Sequence, residues 1–139
     1  MNDKLLELEL ESLKDGLLFS GRFYNQPLVI FNSACQCGFT TQLADFQKLY
    51  EEGNIVPIAL PTNEFNNQEP GDNYEIIQFC RTKYNVTFPV CKKTDLLHKL
   101  FQKFGLPDWN FNKYLLDSNH NFVRRFDAYF DPKELLKHV

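Results

Sequence analysis

Hydrophobic positions in this chain fall into short blocks of changing period. Leu6, Leu8 and Leu10 alternate with Glu7, Glu9 and Glu11, the two-residue period of a strand, and Asp15-Gly16 offers a two-residue turn into Leu17-Leu18-Phe19. The pattern predicts an N-terminal hairpin. Leu28-Val29-Ile30-Phe31 follows Pro27 as a continuous apolar run, which a strand buried on both faces requires, so it predicts the central strand. Leu43, Phe46, Leu49 and Tyr50 have helical spacing and end at Gly53, which predicts a helix of about three turns. Ile55 to Leu60 reads as the next strand. Pro57 cannot donate to a ladder, so that strand belongs at an edge or a bulge. An Asn-rich loop closes in Gln68-Glu69-Pro70-Gly71, and Asp72 and Glu75 then have capping-box spacing at the head of a helix carrying Ile76, Ile77, Phe79 and Cys80.

Val86 to Val90 reads as extended chain. Leu97, Leu100, Phe101 and Phe104 predict a short amphipathic helix closed by Gly105 and Pro107. Phe111 to Leu116 and Phe122 to Phe126 read as strands around the turn-rich Asp117 to Asn121, and Asp131-Pro132-Lys133-Glu134 opens a last helix. A β-α-β unit followed by an antiparallel pair and a closing helix is the thioredoxin-like arrangement: α/β, with a central mixed sheet flanked by helices and an N-terminal hairpin added. No repeat or linker divides residues 1–139, and the length suits one domain.

Composition narrows the function. With 43% hydrophobic and 24% charged residues the chain is an ordinary globular one, apart from 14 Phe. Fifteen basic against 18 acidic residues give a net charge of −3 with no basic block, so a nucleic-acid or anionic-membrane partner is not expected. No apolar run approaches a membrane span, and Met1 to Glu11 is acidic where a signal peptide would be basic and then apolar. The expected location is the cytoplasm, where Cys35, Cys37, Cys80 and Cys91 would be reduced and would point to redox chemistry, metal or plain burial.

Cys37 follows the central strand and precedes the first helix, where backbone N–H groups and the helix dipole stabilise a thiolate. A reactive thiol and a small buried hydrophobe both fit that position. Cys35 lies two residues earlier, open to a strained local disulfide or to an incidental role. Metal is not expected, because Cys80 and Cys91 are eleven apart and His98, His120 and His138 stand alone, outside the spacings of structural zinc sites. The histidines read as surface or capping residues.

Three ordered blocks carry a resemblance. Phe31-Asn32-Ser33-Ala34-Cys35-Gln36-Cys37-Gly38-Phe39-Thr40 resembles the peroxidatic-cysteine segment of the glutathione peroxidase family. Leu60-Pro61-Thr62-Asn63-Glu64-Phe65-Asn66-Asn67-Gln68-Glu69-Pro70-Gly71 resembles the second motif, and Trp109-Asn110-Phe111 the third. Tyr84 to Pro89 is also similar to a family segment, and the match is collinear from about Leu8 onward. The chain departs from the pattern at Thr62, where members often have Cys, at Glu64 for Gln, and at Asn66-Asn67 for a glycine-containing pair.

The resemblance implies a thiol peroxidase acting on hydrogen peroxide or organic hydroperoxides, with Cys37 as peroxidatic residue and Gln68, Trp109 and Asn110 completing a tetrad. An amide, an indole N–H and a second amide are donors suited to a thiolate attacking an O–O bond. The resemblance further implies that Cys80 resolves the Cys37 sulfenic acid as an intramolecular disulfide, that no cofactor is needed, and that thioredoxin, or else glutathione, restores the thiols. Only 18 residues separate Val90 from Trp109, where tetrameric members carry an insertion, so a monomer is expected. A redox-sensing or disulfide-relay protein that oxidises a partner would use the same cysteines.

Overall fold

The structure, a computed structural model, describes residues 3–139. The central strand is β3 (Leu28–Phe31), flanked by β4 (Val56–Ala59) in parallel and by β5 (Lys113–Leu116) antiparallel, with β6 (Phe122–Phe126) antiparallel beyond β5. The four-stranded order is therefore β4-β3-β5-β6, a mixed sheet. The continuous apolar run of β3 has a simple cause. Val29 and Phe31 point into one core with Leu43, Phe46, Ile76, Phe111 and Leu115, while Leu28 and Ile30 point into a second with Leu10, Ile58, Phe101 and Tyr114. Both faces of the strand are covered, so no position can be polar.

Helix α1 (Gln42–Glu52) follows β3 and ends at Gly53, whose φ of +82° suits a residue without Cβ. It buries Leu43, Phe46 and Leu49, and Phe46 stacks on Phe31 with centroids 3.9 Å apart. Helix α2 (Asn73–Tyr84) has its full capping box: Asp72 accepts from the Glu75 N–H at 2.9 Å, and Glu75 accepts from the Asp72 N–H at 3.1 Å. Its inward face is Ile76 and Cys80, one turn apart. Pro57 lies on edge strand β4, as its missing donor requires. Residues 89–91 run beside the last residue of that strand, with Cys91 N–H donating to Ala59 O at 2.8 Å.

Several expectations need correction in detail. The N-terminal hairpin exists but is short, pairing β1 (Glu11–Ser12) with β2 (Gly16–Leu17), and Leu6–Leu8 is a 3-10 turn rather than a strand. The Leu5 and Leu8 pair, both buried, has the three-residue period of that turn, and the Asp3 carboxylate accepts the N–H groups of Leu5 and Leu6 that open it. Gly16, at φ +77°, is not half of a two-residue turn; it closes a three-residue loop, where the left-handed conformation is required. The strand expected from Phe111 begins only at Lys113, because Phe111, at φ +61°, and Asn112 belong to the site loop.

The closing helix at Pro132–His138 is of 3-10 type, capped by Asp131 on the Lys133 N–H at 3.0 Å. Helix α3 (Lys99–Phe104) is capped by His98 Nδ1, while Leu97 stays outside it and exposed. His120 is buried rather than on the surface: the turn after β5 puts its ring against the Phe23 carbonyl at 3.1 Å. Among the described residues no helix is long and apolar enough to cross a membrane.

Candidate active site

The loop from β3 to α1 carries Cys37, and Thr40 shapes that loop. Thr40 Oγ1 donates to Ala34 O at 2.7 Å and accepts the Cys37 N–H at 3.0 Å, while Thr40 N–H returns to Cys37 O at 3.1 Å. This local turn leaves the half-buried Cys37 Sγ accepting the Phe39 N–H at 3.4 Å. The amide aimed at the sulfur therefore comes from the turn, three residues before α1 begins, rather than from the first amides of the helix.

Gln68 and Asn110 meet directly: Asn110 Nδ2 donates to Gln68 Oε1 at 3.0 Å across 42 residues of sequence. Asn110 is fully buried and its Oδ1 has no partner among the described residues. Gln68 is tied to the cysteine loop through its backbone, since Gln36 N–H donates to Gln68 O at 3.0 Å. Trp109 stands beside Asn110, tilted against Phe65 with centroids 5.7 Å apart. Its ring lines an open cleft of about 330 Å³ with Phe39, Asp127, Ala128 and Tyr129. Cys37 and Trp109 pack against the same core that holds Phe31 and Phe111. Among the described residues Gln68, Trp109 and Asn110 make no hydrogen bond to the Cys37 sulfur, whose hydrogen-bond partner is the Phe39 N–H.

The loop that carries Gln68 shows why the glycine-containing pair can be replaced here. Asn66 and Asn67 have φ values of +56° and +52°, and Asn is the residue other than glycine that adopts this conformation most readily. Glu64 is exposed beside them.

The fifth expected residue lies elsewhere in the constellation. Cys80 is buried on α2, in the core against which Cys35 packs, and the two thiols are neighbours there. Cys35 is lifted far above the ordinary cysteine range by that contact first, then by burial and by the Glu69 carboxylate. Cys91 is pushed up to about 12 by its own burial and stands apart, in the core on the other face of the sheet.

Sequence reasoning did not single out three residues that hold this site. Asn32, fully buried, donates from Nδ2 to Trp109 O at 2.8 Å and accepts the Asn112 N–H at 2.8 Å, while Phe111 N–H donates to Asn32 O at 2.7 Å. It clamps both sides of the Trp109-Asn110 turn onto the end of β3. The available clue was its position, an amide directly after four buried strand residues, where a polar side chain must have partners. Lys113 is the second: its buried Nζ donates to the carbonyls of Phe111, Asp127 and Ala128, and burial pulls it down to about 7. Glu69 is the third, buried with Oε1 accepting the Cys35 N–H at 3.1 Å and Oε2 unpartnered. Its carboxyl is raised by burial.

Comparison with known proteins places the chain in a family. The profile of the family described as glutathione peroxidase matches residues 6–104. The chain is 38% identical to the glutathione peroxidase homolog BsaA of Bacillus subtilis (strain 168), over 81% of each chain. It is 33% identical to the glutathione peroxidase-like peroxiredoxin 2 of Saccharomyces cerevisiae, covering 97% of this chain and 94% of that one. Among solved structures, Trgpx in its apo form superposes with a TM-score of 0.64 at 22% identity, over 93% of this chain and 90% of that chain, which shows the shared thioredoxin-like fold. With the profile spanning most of the sequence and relatives matched nearly end to end, this chain belongs to the glutathione peroxidase family and is an enzyme of its peroxidase class.

Proposed function

We propose that the protein, as a single domain over residues 1–139, is a thiol peroxidase in which Cys37 attacks hydrogen peroxide or an organic hydroperoxide. The Cys37 thiolate takes the distal oxygen with its hydrogen, the O–O bond breaks, and hydroxide or alkoxide leaves and takes a proton from solvent to become water or an alcohol, while Cys37 becomes a sulfenic acid. The amide and indole N–H groups of Gln68, Asn110 and Trp109 offer donors, with no competing negative charge, to the oxygen on which charge develops. Cys80 is the resolving thiol, and a thioredoxin-type dithiol restores the reduced protein, with glutathione as the competing reductant. The word peroxiredoxin in the name of the yeast relative supports a protein dithiol. We place the working enzyme in the cytoplasm as a monomer.

The observation that carries this reading is the direct bond between Gln68 and Asn110, which joins two expected donors from distant motifs beside the loop that presents Cys37. The test is peroxide-dependent NADPH consumption with thioredoxin and thioredoxin reductase, run beside glutathione and glutathione reductase. Turnover with thioredoxin is expected. Turnover with glutathione alone would replace the reductant. Absence of turnover with both, together with rapid oxidation of a partner protein's thiols, would replace the peroxidase by a disulfide relay.

A further inference from the structure

Cys35 is left over by that scheme, yet it is the thiol that Cys80 faces. The two come from separate elements, the bend after β3 and the buried face of α2, and they pack in one core, where Cys35 also borders Ile76 and Phe79 of α2. Cys35 is also the cysteine bonded to Glu69, whose Oε1 accepts its backbone N–H at 3.1 Å. The second carboxylate oxygen, Oε2, is buried with no partner. Cys35 and Glu69 border a cleft of about 380 Å³ that is also lined by Pro70, Glu75, Ile76 and Phe79, so Cys35 is approachable from that side while Cys80 is buried.

On these contacts, and resting on the peroxidase reading above, we propose that Cys35 relays the oxidising equivalent from Cys37 to Cys80, and that the disulfide which the reductant meets is Cys35–Cys80. Residues two apart never separate by more than about 7 Å between Cα atoms, which is within reach of a disulfide, and residues 35–37 form a bend. In the first step the Cys35 S–H gives its proton to Glu69 and its sulfur attacks the sulfur of the Cys37 sulfenic acid. The S–O bond breaks, the hydroxide takes a proton back from Glu69, and water leaves Cys35–Cys37. In the second, the Cys80 sulfur attacks Cys35, its proton passes to the departing Cys37 sulfur, and Cys35–Cys80 remains beside a free Cys37. The reducing dithiol then donates two electrons and two protons to Cys35–Cys80, ending as a disulfide itself.

Each group is suited to its step. Cys35 is held as a thiol, so it does not compete with Cys37 for peroxide until a base acts on it. Glu69 is lifted by burial, which makes it the stronger proton acceptor. The final disulfide joins sulfurs that already face each other, so α2 keeps its capping box and its turns.

The experiment is disulfide mapping of fully reduced wild-type protein after one equivalent of hydrogen peroxide, followed by alkylation, with Cys80→Ser and Cys35→Ser alongside. Cys35 linked to Cys80 and Cys37 alkylated is expected in wild type, and Cys35 linked to Cys37 in Cys80→Ser. In Cys35→Ser the Cys37 sulfenic acid, trapped with dimedone, should persist at least tenfold longer. Cys37 linked to Cys80 in wild type, with an unchanged sulfenic-acid lifetime in Cys35→Ser, overturns the relay. A Cys35→Ser, Cys80→Ser double variant separates this from failure of the peroxidase reading. A dimedone adduct on its Cys37 shows that the peroxide step stands by itself, and its absence would bring down the peroxidase and the relay together. The wild-type map needs no variant to fold.

Discussion

Cys35 and Cys37 are separated by one residue and live in different chemical surroundings. Cys37 accepts a backbone N–H and lies by a loop fastened to an amide pair, Gln68 and Asn110, with the Trp109 indole at the mouth of a cleft. Cys35 faces another thiol and a buried carboxylate on the flank of α2. Donors favour negative charge on sulfur, whereas a carboxylate and burial oppose it. The same residue type thus meets a backbone donor at one position and is held as a thiol two positions away. The lesson is that thiol chemistry in this fold is assigned by which neighbours the loop and helix bring, not by proximity along the chain.

The comparison is broken most severely by Cys37→Ser. Peroxide turnover should fall by about three orders of magnitude or more, measured by coupled NADPH consumption, because no other thiol has the same donors. A surviving rate above about one tenth would mean that Cys35 attacks peroxide itself.

Asn32→Ala comes next. It leaves the buried Trp109 carbonyl and Asn112 N–H without their partner, and a loss of about 2–4 kcal/mol is expected in urea unfolding. Turnover should drop as the Trp109-Asn110 turn loosens while Cys37 remains present. A variant of wild-type stability would show that the clamp is dispensable.

Asn110→Ala removes one expected donor at the Cys37 side. Oxidation of Cys37 should slow about 10–100-fold. Cys35 should keep its alkylation rate, since Asn110 is not among its contacts. Equal slowing at both thiols would erase the distinction drawn between them.

The smallest effect concerns pH and places Cys91 beside Cys35 as a second thiol held protonated. Its folded pKa, pushed up to about 12, exceeds the ordinary 9.0, so the folded chain keeps a proton that the unfolded chain loses. The stability it contributes is fully present below about pH 9 and is lost as pH rises toward 12. Lys113 slopes the other way: its folded value of about 7 lies below 10.5, so its contribution grows as pH rises between them. The measurement is therefore the difference in urea midpoint between wild type and Cys91→Ala from pH 8 to 10.5. The gap should narrow as pH rises, and a constant gap would mean that Cys91 titrates as an ordinary thiol.

Much of this was legible in the residues because it rests on local rules. The run Leu28 to Phe31 declares a strand buried on both faces, Gly53 stops α1 by its φ, and Asp72 with Glu75 writes the start of α2 within four residues. The amides and indole of the site could be named from ordered motifs, and Gln68 does meet Asn110. The alternation of Leu6, Leu8 and Leu10 misled because Leu5 and Leu8 suit a 3-10 turn equally well, and Asp3, three residues before Leu6, decides between them by accepting its N–H.

The sequence by itself therefore determined the order of elements and the edge position of β4, consequences of period, caps and proline chemistry. Only the tertiary structure decided that Asn32 clamps the Trp109-Asn110 turn, that Lys113 gathers three carbonyls beneath it, and that Cys80 faces Cys35. Those contacts depend on how α2 and the β5 loop dock against the end of β3. A docking angle is set by the packing of many side chains at once, and no local stretch of sequence encodes it.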